Sequence, residues 1–170
     1  MREIEVKILE INKNEIIKKL EQFASKEVES NLLTTITFSN PYGDASIRLR
    51  KTKDEVIFTV KTKVPDKEFK VREEYETKIY DLEMFKKQLE ILGFKQIMLQ
   101  EKRRTIYKYK NSRINIDEYP LIPPYIEIEG DKNEIEEIVN KIGYTLKDVS
   151  QMNVYKLFSK YNIDAKELRF

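Results

Sequence analysis

The sequence predicts an α+β fold built around a large antiparallel sheet, and three observations predict it. Short runs of alternating apolar and polar residues recur along the 170-residue chain. Tight polar connections, Thr52-Lys53-Asp54 and Val64-Pro65-Asp66-Lys67, join consecutive runs as a meander of hairpins. Helical stretches opened by Asn or Asp interrupt the strands without the regular alternation that would signal a parallel sheet.

Taken in order, residues 2–11 set Ile4, Val6 and Ile8 against Glu3, Glu5 and Lys7, which is a strand pattern. Asn12 with Glu15 opens a helix through about residue 23, by the reciprocal side-chain bonding of a capping box. A β-rich stretch over 27–38 ends at the turn Asn40-Pro41-Tyr42-Gly43-Asp44. Strands follow at roughly 45–52, 55–63 and 68–79. Asp81 caps the next helix, which stops at Gly93. Strands at about 95–109, 113–119 and 124–130 come next. Asp131 with Glu134 begins a third helix ending before Gly143, and a short fourth helix spans about 150–160.

Composition excludes much. Cys, His and Trp are absent, which removes disulfides, Cys/His zinc sites and every His-dependent triad. Thirty-two basic residues face 30 acidic ones, a net charge of +2 that argues against a bulk electrostatic partner such as duplex DNA or an anionic membrane. The charged, alternating start MREIEVK is not a signal peptide, and no apolar run reaches the ~20 residues of a membrane helix. A soluble, cytoplasmic protein is expected.

The polar faces of the strands carry the chemistry. Residues two apart on a strand share a face. Glu3, Glu5 and Lys7 do so, as do Arg48 with Arg50, Thr59 with Lys61, and Arg72 with Glu74 and Glu76. Lys102 with Arg104, Asn115 with Asp117, and Glu127 with Glu129 continue the pattern. The strand at 95–109 fits least well, because Glu101 and Arg103 fall on its apolar side. An antiparallel sheet with one wet face would explain each strand singly. If the helices bury the apolar face, the charged face either lies flat to solvent or lines a closed barrel. Buried charge of both signs adds little stability and points to function. Arg and Lys suit phosphate oxygens, and clustered carboxylates suit Mg²⁺ or Mn²⁺. No Gly-rich phosphate loop is present.

These residues resemble the CYTH superfamily of triphosphate tunnel metalloenzymes, which includes class IV adenylyl cyclases, thiamine triphosphatases and inorganic triphosphatases. The signature is Glu3-Ile4-Glu5-Val6-Lys7, supported in order by Arg48-Leu49-Arg50, Thr59-Val60-Lys61, Arg72-Glu73-Glu74-Tyr75-Glu76, Lys102-Arg103-Arg104, Ile116-Asp117-Glu118 and Glu127-Ile128-Glu129. The resemblance implies a closed eight-stranded antiparallel β-barrel with helices outside, as one domain over 1–160 with a tail at 161–170. It implies that Glu3, Glu5, Glu127 and Glu129 are the main metal ligands, with Glu74, Glu76 and Asp117 supporting a second metal or the water. Lys7, Arg48, Arg50, Lys61, Arg72, Lys102 and Arg104 would hold the phosphates, and Glu5, Lys7, Glu76 and Asp117 would be catalytic. The helix carrying Tyr155 and Lys156 is similar to the family's C-terminal helix near one tunnel mouth. Thr37-Phe38-Ser39-Asn40-Pro41 and Met152-Asn153-Val154-Tyr155 depart from the family's pattern.

The expected activity is hydrolysis of the terminal phosphoanhydride of tripolyphosphate, ATP or a similar triphosphate, with two Mg²⁺ or Mn²⁺ ions, by a monomer or homodimer. The alternative is a class IV adenylyl cyclase forming cyclic AMP and pyrophosphate, and a third reading is a non-catalytic binder of polyphosphate or RNA. Nucleic acid and membrane are not expected partners.

Overall fold

Each strand has one face that only a hydrophobic neighbour can satisfy and one face that only charge or water can, and the chain resolves this by closing the sheet on itself. The structure, a computed structural model, describes residues 2–65, 70–164 and 166–170, with side chains at all of these except 2, 3, 28–30 and 70. The strands are β1 (Arg2–Ile8), β2 (Ser25–Ser39), β3 (Ser46–Lys51), β4 (Val56–Val64), β5 (Lys70–Ile79), β6 (Lys95–Tyr109), β7 (Ser112–Glu118), β8 (Tyr125–Glu129) and a short β9 (Glu167–Leu168). The helices are α1 (Lys13–Leu20), α2 (Leu82–Ile91), α3 (Lys132–Lys141) and α4 (Val154–Lys160).

The strand order is β2-β3-β4-β5-β1-β8-β7-β6, and β2 pairs back onto β6. Eight antiparallel strands therefore form a closed barrel with no free edge among them. The long strands β2 and β6, 15 residues each, supply the closing seam.

The apolar faces point outward and are covered by helices. Ile114, Ile116, Ile126 and Ile128 of β7 and β8 pack with Ile16 and Leu20 of α1 and Ile135, Ile138 and Val139 of α3, all essentially inaccessible to water. Burying each such side chain contributes about 1.5–3 kcal/mol. Ile36, Phe38, Ile47 and Leu49 of β2 and β3 pack on Leu89 of α2. Leu157 and Phe158 of α4 pack with Tyr119, Tyr125 and Leu168. No helix among the described residues is long and apolar enough to cross a membrane.

Sequence expectations and structure differ at a few ends, for local reasons. β1 stops at Ile8, and Glu10 then turns at φ 57°. α4 begins at Val154, because the Asn153 side chain accepts from the Lys156 N–H, whereas Ser150 exchanges backbone bonds with Lys7. α2 and α3 end before Gly93 (φ 92°) and Gly143 (φ 87°), a left-handed conformation that glycine adopts without a Cβ clash. The Val64-Pro65-Asp66-Lys67 connection falls partly outside the described residues. Within residues 161–170, β9 adds a parallel pair to β6 (Leu99 with Glu167, Gln100 with Leu168). This contact accounts for the misfit of β6: Glu101 accepts from the Phe170 N–H, and Arg103 lies 4.0 Å over the Phe170 ring. That part of the outer wall is covered by a chain segment with its own polar partners.

Candidate active site

Closure turns the polar faces inward, and the cross-strand register shows which side chains share a level. Thr35 is opposite Arg50, Arg48 opposite Thr59, Thr59 opposite Glu76, and Lys61 opposite Glu74. On the far wall Glu5 is opposite Glu129, Lys7 opposite Glu127, and Arg104 opposite Asp117. Directly opposed residues have Cβ atoms about 5 Å apart on one face, so these pairs meet inside the barrel. They enclose a cavity of about 300 Å³.

Two groups of charges stand in it. In the first, Lys7 Nζ lies 2.9 Å from Glu5 and 2.5 Å from Glu127. Arg104 donates Nε and Nη2 to the two oxygens of Asp117, both at 2.6 Å, and reaches Glu127 at 2.7 Å. Lys102 donates to Asp117 at 2.6 Å, and Asn115 to Glu129 at 3.2 Å. In the second, Glu74 accepts from Arg48 at 3.1 Å and is paired with Lys61 at 2.9 Å. Glu76 accepts from Thr59 at 2.9 Å, with Arg48 at 3.7 Å.

Burial sharpens these electrostatics. Asp117 is wholly inaccessible; burial pushes its carboxyl up, but Arg104 and Lys102 outweigh that and hold it below its ordinary value. Burial, reinforced by the Arg104 cation, pushes Lys102 down to about 7 against the pull of Asp117 and Glu127. Burial, with Arg48 and Arg104 nearby, pushes Arg50 down to about 10. Arg50 has no ion pair among the described residues, and its Nε, like that of Arg48, is buried without a hydrogen-bond partner. An unpaired buried guanidinium donor is costly, and an oxyanion has the charge and acceptor geometry to satisfy it.

The oxygens of Glu5, Glu127 and Glu129 lie within 4.8 Å of one another. A cluster with oxygen donors alone fits Mg²⁺ or Mn²⁺ better than a softer metal, and Lys7 now supplies the compensating positive charge there. The sequence-predicted ligands are thus distributed. Glu5, Glu127 and Glu129 are brought together, Glu74 and Glu76 stand in the second group, and Asp117 is occupied by Lys102 and Arg104. The Glu3 side chain lies outside the described residues. Arg48, Arg50, Lys61, Arg72, Lys102 and Arg104 all line the cavity. Lys63, Gln100, Arg113, Tyr119 and Tyr125 also line it, although the sequence reading did not single them out as site residues. Parity could have found all five: Lys63 follows Lys61 by two, Gln100 precedes Lys102 by two, Arg113 precedes Asn115 by two, and Tyr119 and Tyr125 flank Asp117 and Glu127 by two.

A family model for the CYTH domain matches residues 1–157. The chain belongs to the CYTH family. CYTH proteins are metal-dependent enzymes acting on triphosphates, as adenylyl cyclases or triphosphatases. This CYTH chain is 28% identical over 166 residues to a protein of Methanocaldococcus jannaschii named "Putative adenylate cyclase MJ0240", covering 92% of this chain and 95% of that one. It is similar to the PH1012 protein from Pyrococcus horikoshii OT3, at 25% identity and a TM-score of 0.81, over 91% of this chain and 98% of that one. It shares its fold with a Hippeastrum protein named "Putative adenylyl cyclase HpAC1", described as having a dominant triphosphatase activity, at 15% identity and a TM-score of 0.64, over 99% of both chains.

Proposed function

We propose that this CYTH protein is a divalent-metal-dependent triphosphatase that removes the terminal phosphoryl group of a triphosphate bound in the barrel. The observation that carries the reading is Arg50: a half-buried cation whose Nε is buried and unsatisfied, beside Arg48 and Arg104, in the same cavity as three converging carboxylates. A polyphosphate with its metal satisfies both sets, whereas a single-stranded nucleic acid would need an open groove.

Glu5, Glu127 and Glu129 would hold Mg²⁺ or Mn²⁺, which supplies charge neutralisation and polarises phosphate oxygens. The protein's part is positioning. Arg48, Arg50, Lys61 and Arg72 on one wall and Lys102 and Arg104 on the other bind the phosphate oxygens and spread the charge that develops in phosphoryl transfer. A water oxygen forms a bond to the terminal phosphorus while the bridging phosphorus–oxygen bond breaks. Orthophosphate and the shortened phosphate are released. A tunnel carboxylate takes the water's proton, and Glu76 suits this better than Asp117. The Glu76 side chain is 46% exposed with Thr59 as its hydrogen-bond donor, whereas Asp117 has both oxygens committed to buried cations.

The test is product analysis with Mg²⁺ or Mn²⁺. Orthophosphate from ATP or tripolyphosphate, lost on adding EDTA, is the expected result. Cyclic AMP and pyrophosphate from ATP would replace this reading with the adenylyl cyclase reaction. Turnover unchanged by EDTA would remove the metal from it.

A further inference from the structure

The stretch of β6 that carries two tunnel cations has a neighbour from outside the barrel. Gln100, Lys102 and Arg104 point into the cavity from β6, and all three are buried. β2 runs along one side of this stretch, but β7 pairs with β6 only from Arg103 onward, so residues 95–102 have no barrel strand on the other side. Among the described residues β9 alone fills that side, pairing Leu99 with Glu167 and Gln100 with Leu168, and the Leu99 N–H donates to the Lys166 carbonyl at 2.9 Å. A strand edge with nothing beside it leaves its backbone donors and acceptors unpaired.

Side chains reinforce this seam. Glu101 accepts from the Phe170 N–H and Arg103 lies over the Phe170 ring, both on the outer face that alternates with the inward cations. Leu168, 5% exposed, packs in one cluster with Tyr119 and Tyr125, which line the cavity. Lys102 Nζ stands 5.7 Å from the centre of the Tyr119 ring, within cation–π range. The C-terminal segment therefore reaches Lys102 twice, along the β6 backbone and through Tyr119. It lies beyond residues 1–157, the part matched by the CYTH model.

We infer that residues 166–170 are a positioning strap for the tunnel's cation wall: β9 holds the free side of β6 and so fixes Lys102 for contact with a phosphate oxygen. The inference rests on the triphosphate reading above and adds to it two residues that touch no substrate, Leu168 and Phe170. A strand of two residues has little stability of its own, so the strap opens locally more readily than the barrel. Since a docked strap favours binding, a bound phosphate chain favours the docked strap by the same factor.

The first experiment is hydrogen exchange without ligand on the wild type, Leu168→Ala and Phe170→Ala. The last variant empties no core, because Phe170 is half exposed. Amides of residues 99–102 are expected to exchange at least about tenfold faster in Leu168→Ala, in the same direction but less in Phe170→Ala, with β3 and β4 unchanged. Unchanged exchange at 99–102 in both variants, or an equal rise across β3 and β4, overturns the strap. The second experiment measures tripolyphosphate affinity by calorimetry in EDTA, as a double-mutant cycle with Lys102→Met; where binding needs Mn²⁺, KM takes the place of Kd. Leu168→Ala is expected to weaken binding at least about fivefold when Lys102 is present and less than about twofold in Lys102→Met, while Leu168→Met keeps wild-type affinity. Equal losses in the two backgrounds, or none, overturn positioning through Lys102. If neither tripolyphosphate nor ATP binds or turns over, in EDTA or with Mn²⁺, the triphosphate reading fails, and the exchange result alone decides the strap.

Discussion

Replacing Asp117 by Asn tests whether the tunnel's charges are as deeply buried as the geometry says. Asp117 is 0% exposed and accepts three charge-assisted bonds of 2.6 Å from Lys102 and Arg104. The amide removes the negative charge and half of the acceptors, so Lys102 keeps no close carboxylate and Arg104 keeps only Glu127. Breaking a buried pair in this way costs about 3–5 kcal/mol, because an uncompensated charge stays behind. For a domain of this length, each kcal/mol lowers Tm by about 2–4 °C, so the expected loss is roughly 6–20 °C. Thermal unfolding followed by circular dichroism at pH 7, without phosphate in the buffer, measures it. Adding Lys102→Met to Asp117→Asn removes a buried amine left without its acceptor and recovers part of the loss, a coupling a double-mutant cycle reads directly. A fall of less than about 2 °C in the single variant would refute the reasoning, since it would mean that water screens the network.

Three further outcomes follow from the same geometry. Glu127→Gln or Glu129→Gln weakens Mn²⁺ binding by at least about tenfold in titration calorimetry, and undiminished affinity would move the ion elsewhere. Lys102 is pushed down to about 7 in the fold but keeps an ordinary value near 10.4 when unfolded. Between those values the unfolded chain binds the extra proton, so wild-type stability rises with pH relative to Lys102→Met and the difference is flat below about 7. Urea unfolding at pH 6, 7, 8 and 9 checks the sign, and a difference that shrinks as pH rises contradicts it. Gly130→Ala places a Cβ 2.0 Å from Ser112 Oγ and 2.7 Å from its Cβ. The β7–β8 seam must shift, at a cost of about 1–3 kcal/mol in urea unfolding, and a neutral result would show that the seam relaxes freely.

How much of this was legible beforehand depended on the range of the interaction that decides it. Alternation along a strand is local, so the polar set from Glu5 to Glu129 could be read from residues two apart, and capping at Asn12, Asp81 and Asp131 placed three helices within a few residues. Whether the charged face met water or itself was not local. Only the return of β2 onto β6 turns the sheet into a tunnel, and the sequence has no signal for that pairing beyond two strands of unusual length. The residues around Glu101 and Arg103 looked like a broken pattern because their partner, Phe170, is remote in sequence.

The sequence alone determined the inventory: which side chains share a face, which metals and anions they suit, and which chemistries the missing Cys and His exclude. The tertiary structure decided the company each charge keeps. It put Glu5, Glu127 and Glu129 together, tied Asp117 to Lys102 and Arg104, left Arg50 without an ion pair among the described residues, and gathered Leu33, Ile57 and Ile106 in one chamber. The physical reason is that parity fixes a side chain's direction, but register and closure fix its neighbours. In a low-dielectric lumen it is the neighbours that set charge, affinity and specificity.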